Sequence, residues 1–269
     1  MAGNERHEAE EDDLPKAVVP AVMRAVRLLD AVAASRNALT LTDLAQSLKL
    51  PKSSALSLCT SLAQSRLLTR YEDGSYHLGT HLVDLAHAYL SRTDLTQEFG
   101  RAWDSLRATP EESAVLAVLD GSDVVYVACR NGSGPFGLAY RIGMRLPAHC
   151  TATGKALLSS LTDERVRQIY RGKKLERLTR KSVTSVKGLL ADLAIARERG
   201  YAVDDEETRE GMRCYGAPIF DASGQQAVAA VALSGMKADQ ARGVERVVGA
   251  VHELAELMSH RLGMIPAGN

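Results

Sequence analysis

The chain has 269 residues, 45% hydrophobic and 25% charged, and its 33 lysines plus arginines balance 33 aspartates plus glutamates. That composition is globular, with room for two modest cores, and zero net charge excludes a protein that holds polyanions by bulk charge. Four scattered cysteines (Cys59, Cys129, Cys150, Cys214) with no Cys-x-x-Cys pair argue against a disulfide framework or zinc cluster. They point to a reducing compartment. No apolar run approaches ~18 residues and the N-terminus is acidic, so neither a membrane span nor a signal peptide is expected, and the location is read as cytoplasmic.

The charge is unevenly divided. Residues 1–19 carry net −4, residues 20–80 net +3 and the remainder net +1. The first stretch has too little apolar surface to order itself and is read as a disordered acidic tail. Val22, Ala25, Val26, Leu29 and Val32 recur at helical spacing, which predicts a helix over Pro20–Ala34 with those residues buried. Leu41, Leu44, Ala45 and Leu48 predict a second, short helix with Thr40 or Thr42 as its cap. Pro51 disfavours helical geometry at Leu50 yet suits the first turn of a new helix, so the chain turns sharply there.

In the third helix Ala55, Leu58, Cys59 and Leu62 form the buried face. The other face shows Lys52, Ser53, Leu56, Ser57, Thr60 and Gln64 and lacks acids. Small hydroxyls and a lysine suit phosphates and base edges in a major groove, and the open N–H groups of the helix start suit phosphate. Taken alone, such a face reads more readily as solvated surface, since short polar faces are common. The residues C-terminal to it tip the balance. Leu67–Tyr71 reads as a strand, Glu72-Asp73-Gly74-Ser75 as a turn and Tyr76–Leu78 as the return strand. Three helices and a hairpin form a winged helix-turn-helix, and with net +3 this favours double-stranded DNA as partner.

Leu82, Leu85, Ala86, Tyr89 and Leu90 predict a connecting helix over 81–94. From residue 95 to 269 the pattern is α+β. A helix carries Phe99, Trp103 and Leu106. Strands cover Val115–Leu119, Val124–Ala128, Tyr201–Asp204, Tyr215–Phe220 and Ala227–Leu233, and a final helix starts near Val244. Hairpins with helices on a sheet imply a GAF- or PAS-like α/β sensor layer. Thr151–Thr153 opens a helix that runs through Lys155 to Leu158. Its start would aim the N–H groups of Ala152, Thr153 and Gly154 at one point, an anion or carboxylate site if it is more than an ordinary capped helix.

Catalysis and metal binding have weak support. Cys150 follows His149, but residues adjacent in sequence rarely present a nucleophile and its base together. No Gly-x-Ser-x-Gly, Walker A or His-Glu-x-x-His motif occurs. His77, His81 and His87 do not make a tetrahedral set. No cofactor, metal or catalytic residue is expected. A ligand-binding module or an enzyme acting on an organic acid, without specific DNA binding, is the alternative reading.

The segments VMRAVRLL (Val22–Leu29), LTLTDLA (Leu39–Ala45), LPKSS (Leu50–Ser54) and YHLG (Tyr76–Gly79) resemble the IclR family of bacterial transcriptional regulators. So do LPAHCTATGKALL (Leu146–Leu158), GYAVDDEE (Gly200–Glu207) and EGMRCYGAPIFD (Glu210–Asp221). The resemblance spans residues 20–262. It implies an N-terminal winged helix-turn-helix domain, a linker helix that aids dimerisation and a C-terminal effector-binding domain. By resemblance Lys52, Ser53, Ser54, Leu56, Ser57 and Thr60 face the operator, with Arg24, Thr42 and Arg70 as further contacts. Serine at 57 and leucine at 56 depart from the family's arginine and frequent histidine, trading a guanine or phosphate contact for a thymine-methyl contact. Ala152, Thr153, Asp204, Met212, Cys214 and Ser234 would border an effector pocket walled by Leu138, Met144 and Leu146. A relative that binds a small polar acid has serine where Ala232 stands. Alanine frees volume, which leans toward an aromatic carboxylate. The expected protein is a repressor, acting as a homodimer or dimer of dimers and controlled by a small organic acid.

Overall fold

The computed structural model describes residues 19–35, 37–92, 95–106, 111–131, 140–240 and 243–264. The acidic tail and Leu138 lie outside the described residues. The chain forms two compact units that divide between Tyr89 and Leu90.

In the first unit α1 (Pro20–Ala34) is followed by β1 (Leu39–Thr40), α2 (Leu41–Ser47) and α3 (Lys52–Gln64), then β2 (Leu68–Arg70) and β3 (Ser75–Leu78). Thr40, not Thr42, caps α2. Its side chain accepts from the Asp43 N–H, and the Asp43 carboxylate accepts from the Thr40 N–H, a reciprocal capping box. The turn into α3 depends on Lys49, whose φ of 51° lets the Leu50 N–H reach the Ala45 carbonyl at 2.9 Å. The three strands pair antiparallel in the order β1-β3-β2. The two-residue strand β1 is too short to carry a sequence signal and was not expected. Gly79 closes the wing. A Cβ there would lie 2.1 Å from the Arg66 carbonyl oxygen, so only glycine fits.

The core of this unit is Leu28, Leu44, Cys59, Leu62, Leu68 and Tyr76. One expectation is corrected. Helix α1 buries Leu28, flanked by Ala25, Leu29 and Val32, whereas Val22 and Val26 are 58% and 46% exposed. The helix carries two overlapping apolar stripes, and packing on α3 and β3 selects the one centred on Leu28.

Helix α4 (His81–Arg92) contains the division between the units. The second unit runs α5 (Leu95–Asp104), β4 (Ser113–Asp120), β5 (Asp123–Arg130), β6 (Arg145–Pro147), α6 (Ala152–Ser159), α7 (Asp163–Ile169), α8 (Val186–Arg199), β7 (Ala202–Asp205), β8 (Met212–Phe220), β9 (Ala227–Met236), α9 (Lys237–Gln240) and α10 (Val244–Arg261). Among the described residues its six strands form one antiparallel sheet in the order β6-β5-β4-β9-β8-β7.

Helices cover both faces. Ala114, Leu116, Val231 and Leu233 point to α5 and α10, while the alternate residues Val115, Ala117, Ala230 and Ala232 point to α6, α7 and α8. This is why the central strands read as continuous apolar runs and not as alternating ones. Helices α7 and α8 had no counterpart in the sequence reading. Serine and threonine caps start them, and Gly200, at φ 76°, ends α8.

Candidate functional site

Helix α3 buries Ala55, Cys59 and Leu62 and leaves Leu58 half-buried. Lys52, Ser53, Ser54, Leu56, Ser57 and Thr60 are exposed, with Leu56 at 44%. Among the described residues, the hydroxyls of Ser53, Ser54, Ser57 and Thr60 have no protein partner, and no side chain caps the helix start. The face therefore offers free donors and acceptors and no acid. Arg24 and Arg70 are exposed, and the Arg70 guanidinium lies 6.0 Å from the Tyr76 ring centre. Thr42 is half-buried on α2 and presents less to a partner than the α3 residues do.

The second unit holds a cavity of about 180 Å³ between the sheet and the start of α6. Its lining is Val115, Tyr126, Tyr140, Met144, Leu146, Thr151, Ala152, Thr153, Asp204, Thr208, Arg209, Met212, Cys214, Ala232 and Ser234. Strand register builds its floor. Asp204 pairs with Cys214 and Cys214 with Ser234, giving a polar row across three strands. Next to it Ala202, Gly216, Ala232 and Val115 form a row of small or apolar residues. That row lets α6 approach: a Cβ on Gly216 would lie 2.6 Å from the Ala152 carbonyl group.

The structure thus brings Met144, Leu146, Ala152, Thr153, Asp204, Met212, Cys214, Ala232 and Ser234 to one cavity. The sequence reading missed Tyr126, Tyr140, Thr151, Thr208 and Arg209. Val115 was readable only as the cross-strand partner of Ala232. Arg209 sits between the two recognisable segments that flank it. Thr151 was readable as the start of α6, and Tyr126, Tyr140 and Thr208 carry no local signal.

At the start of α6 the Thr151 hydroxyl accepts from the Gly154 N–H at 3.0 Å. The expected three-amide site is thereby corrected to two, since Gly154 already has its partner. The N–H groups of Ala152 and Thr153 remain, and beside them the Thr153 hydroxyl is buried, with the Tyr126 phenol as its polar neighbour and no hydrogen bond of normal geometry. Asp204 is buried, yet its carboxylate accepts from the Glu207 N–H at 2.7 Å, the Thr208 N–H at 3.2 Å and the Thr208 hydroxyl. Burial raises its pKa and these hydrogen bonds oppose the rise. Arg209 is the cation of the lining.

Burial pushes the phenols of Tyr126 and Tyr140 and the thiol of Cys214 upward, so all three stay neutral. The tyrosine rings meet edge to face with centres 5.5 Å apart, a wall suited to a flat apolar group. The Cys150 thiol is pushed up to about 12 by burial, and His149 Nε2 lies 2.9 Å from the Glu176 carbonyl oxygen. The pair is therefore no thiolate and base. Among the described residues no cluster of three or more His, Cys, Asp or Glu could hold a metal ion, and no helix is long and apolar enough to cross a membrane.

Two family models match the chain. The model for the C-terminal region of bacterial IclR transcriptional regulators matches residues 87–260, and the IclR helix-turn-helix domain matches residues 21–71. The transcriptional repressor IclR of Escherichia coli K12 is 32% identical over 223 residues, 81% of this chain and 80% of that protein. The crystal structure of the repressor BlcR from Agobacterium tumefaciens is 38% identical, covers 92% of this chain and 99% of its own, and superposes with a TM-score of 0.60. An IclR homologue from Microbacterium hydrocarbonoxydans, crystallised in complex with 4-hydroxybenzoate, shares the fold at a TM-score of 0.74 and 24% identity, covering 90% of this chain and 98% of its own.

Proposed function

The chain belongs to the IclR family of bacterial transcriptional regulators, and from that premise we propose that it represses transcription as a dimer or dimer of dimers, releasing or tightening its operator when a small organic acid occupies the α6 cavity. As a member of that family it is a DNA-binding regulator and not an enzyme. The operator is read through α3, with Lys52, Ser53, Ser54, Ser57 and Thr60 against phosphates and base edges and Leu56 against a thymine methyl. The names of the E. coli and A. tumefaciens relatives support repression as the mode.

The observation that carries the effector reading is the buried Thr153 hydroxyl, which makes no hydrogen bond of normal geometry and has the Tyr126 phenol as its polar neighbour, beside the two open N–H groups of α6. A buried hydroxyl without a partner costs stability, and an anion at that point would satisfy it. Arg209 supplies the countercharge, and the two tyrosines with Ala232 accommodate a flat ring. This favours an aromatic carboxylate over a two- or three-carbon acid, and the 4-hydroxybenzoate complex of the M. hydrocarbonoxydans protein supports the choice. To shift operator affinity, the acid must bind one arrangement of the units better than another, and α4 is the element proposed to carry that difference. The location is read as the cytoplasm.

Calorimetry with benzoate, 4-hydroxybenzoate, acetate and pyruvate tests the ligand class, and gel shifts on the DNA upstream of the gene test the regulator. Aromatic acids are expected to bind and to alter a sequence-specific shift. Binding of acetate or pyruvate alone would overturn the aromatic reading, and no specific shift at any acid concentration would overturn the operator reading.

A further inference from the structure

Lys155 ends the first turn of α6, two residues beyond the cavity-lining Thr153, and is only 3% exposed. Its ammonium donates to Glu207 Oε1 and, at 3.4 Å, to Asp192 Oδ2 on α8. Glu207 belongs to the arch 204–209, which starts at the end of β7 and leads toward β8. In that arch Asp204 and Glu207 turn inward. Asp205 turns outward to Arg213 at 3.0 Å and Lys237 at 2.8 Å, and Glu206 turns outward to Lys181 and Lys237. Neither Lys155 nor Glu207 lines the effector cavity. Both face a separate hollow of about 280 Å³ lined also by Asp192, Arg199, Tyr201 and Asp205.

We propose that Lys155 and Glu207 are positioning residues of the effector site: their buried pair pins the arch to α6 and so fixes Thr208 and Arg209 on the same cavity as the Thr153 hydroxyl. This rests on the effector reading above. Stability does not account for the pair. A buried ion pair gains little over apolar residues of similar volume, and here Glu207 Oε2 is buried with no hydrogen bond, a further cost. What the pair supplies is location. One ammonium ties α6, α8 and the arch together. The arch in turn is set by the Glu207 and Thr208 N–H groups on Asp204. Burial pushes Glu207 up to about 7, against the pull of Lys155 and with a small push from Asp204 and Asp192. The charged pair therefore forms as pH rises through neutrality.

Hydrogen exchange on the unliganded full chain tests the arch, and binding of 4-hydroxybenzoate tests its consequence. The double variant Lys155→Met/Glu207→Leu is expected to keep the wild-type melting temperature, because apolar residues replace the pair. The Glu207 and Thr208 amides should nevertheless exchange about tenfold faster, and 4-hydroxybenzoate should bind about tenfold more weakly. Glu207→Gln, nearly the same shape, should show a smaller acceleration at pH 8, and the wild-type protein should approach it as pH falls below about 7. Wild-type exchange at both amides in either variant at pH 8 would overturn the proposal, as would probe affinity that recovers along with stability in the double variant. If the wild-type protein binds neither benzoate nor 4-hydroxybenzoate, the effector reading fails, and the exchange result still decides the positioning role.

Discussion

In the helix-turn-helix unit the polar groups proposed to meet a partner lie outside: Ser53, Ser54, Ser57 and Thr60 are exposed, with hydroxyls unbonded, above an apolar core. In the second unit the corresponding groups lie inside. Thr153, Asp204, Cys214 and Ser234 are buried between a sheet and a helix, and Asp204 needs three hydrogen bonds of its own to sit there. The contrast reflects the size of the partner. A duplex is larger than the domain that reads it, so it meets a convex face, and exposed hydroxyls cost the free protein nothing. A small acid must be surrounded, so its binding groups are desolvated in advance. That cost is met by local hydrogen bonds, or left standing at Thr153.

If the two units are as independent as this contrast implies, damage to one should spare the other. Leu28→Ala opens a cavity in the small core and should cost about 3 kcal/mol, abolishing the gel shift while the melting transition of the second unit and acid binding persist. Loss of both functions together would break the comparison. Gly216→Val drives a side chain into the Ala152 carbonyl group and should cost about 2 kcal/mol in the second unit, with loss of acid binding and retention of DNA binding in the absence of acid.

Finer substitutions sharpen the same contrast. Ser57→Asp sets a carboxylate against phosphate and should weaken operator binding by about tenfold without lowering the melting temperature. An unchanged shift would remove α3 as the reading helix. Thr153→Val deletes a buried hydroxyl that makes no hydrogen bond of normal geometry and should raise the stability of the second unit by up to about 1 kcal/mol while weakening 4-hydroxybenzoate about fivefold. A stability loss would mean that the hydroxyl has a partner in the free protein, and unaltered affinity would detach it from the ligand.

The first unit was largely legible in the sequence because its signals are local. Helical spacing, the Thr40–Asp43 cap, Pro51 and the Asp-Gly turn each act within a few residues, and helices α1 to α3 lie where these signals put them. The one misjudged face, Val22 and Val26 for Leu28, shows the limit. Two apolar stripes on one helix are equivalent until a neighbour packs against one of them. Helices α7 and α8 were missed for a related reason: the apolar stripe of each is short, that of α8 closing against α6 and β7 and that of α7 against α8.

The amino-acid sequence by itself determined the three helices and hairpin of the first unit, the family pattern and the helix start at Thr151, since the elements depend on dihedral preference and hydrogen bonding between near neighbours. Tertiary structure alone decided which residues share the cavity. Val115, Tyr126, Asp204, Arg209 and Ala232 are distant in the chain and meet only because strand register and a glycine at 216 bring sheet and helix together. It also decided that the Thr153 hydroxyl is closed in beside the Tyr126 phenol with no hydrogen bond of normal geometry, because the start of α6 lies against the sheet.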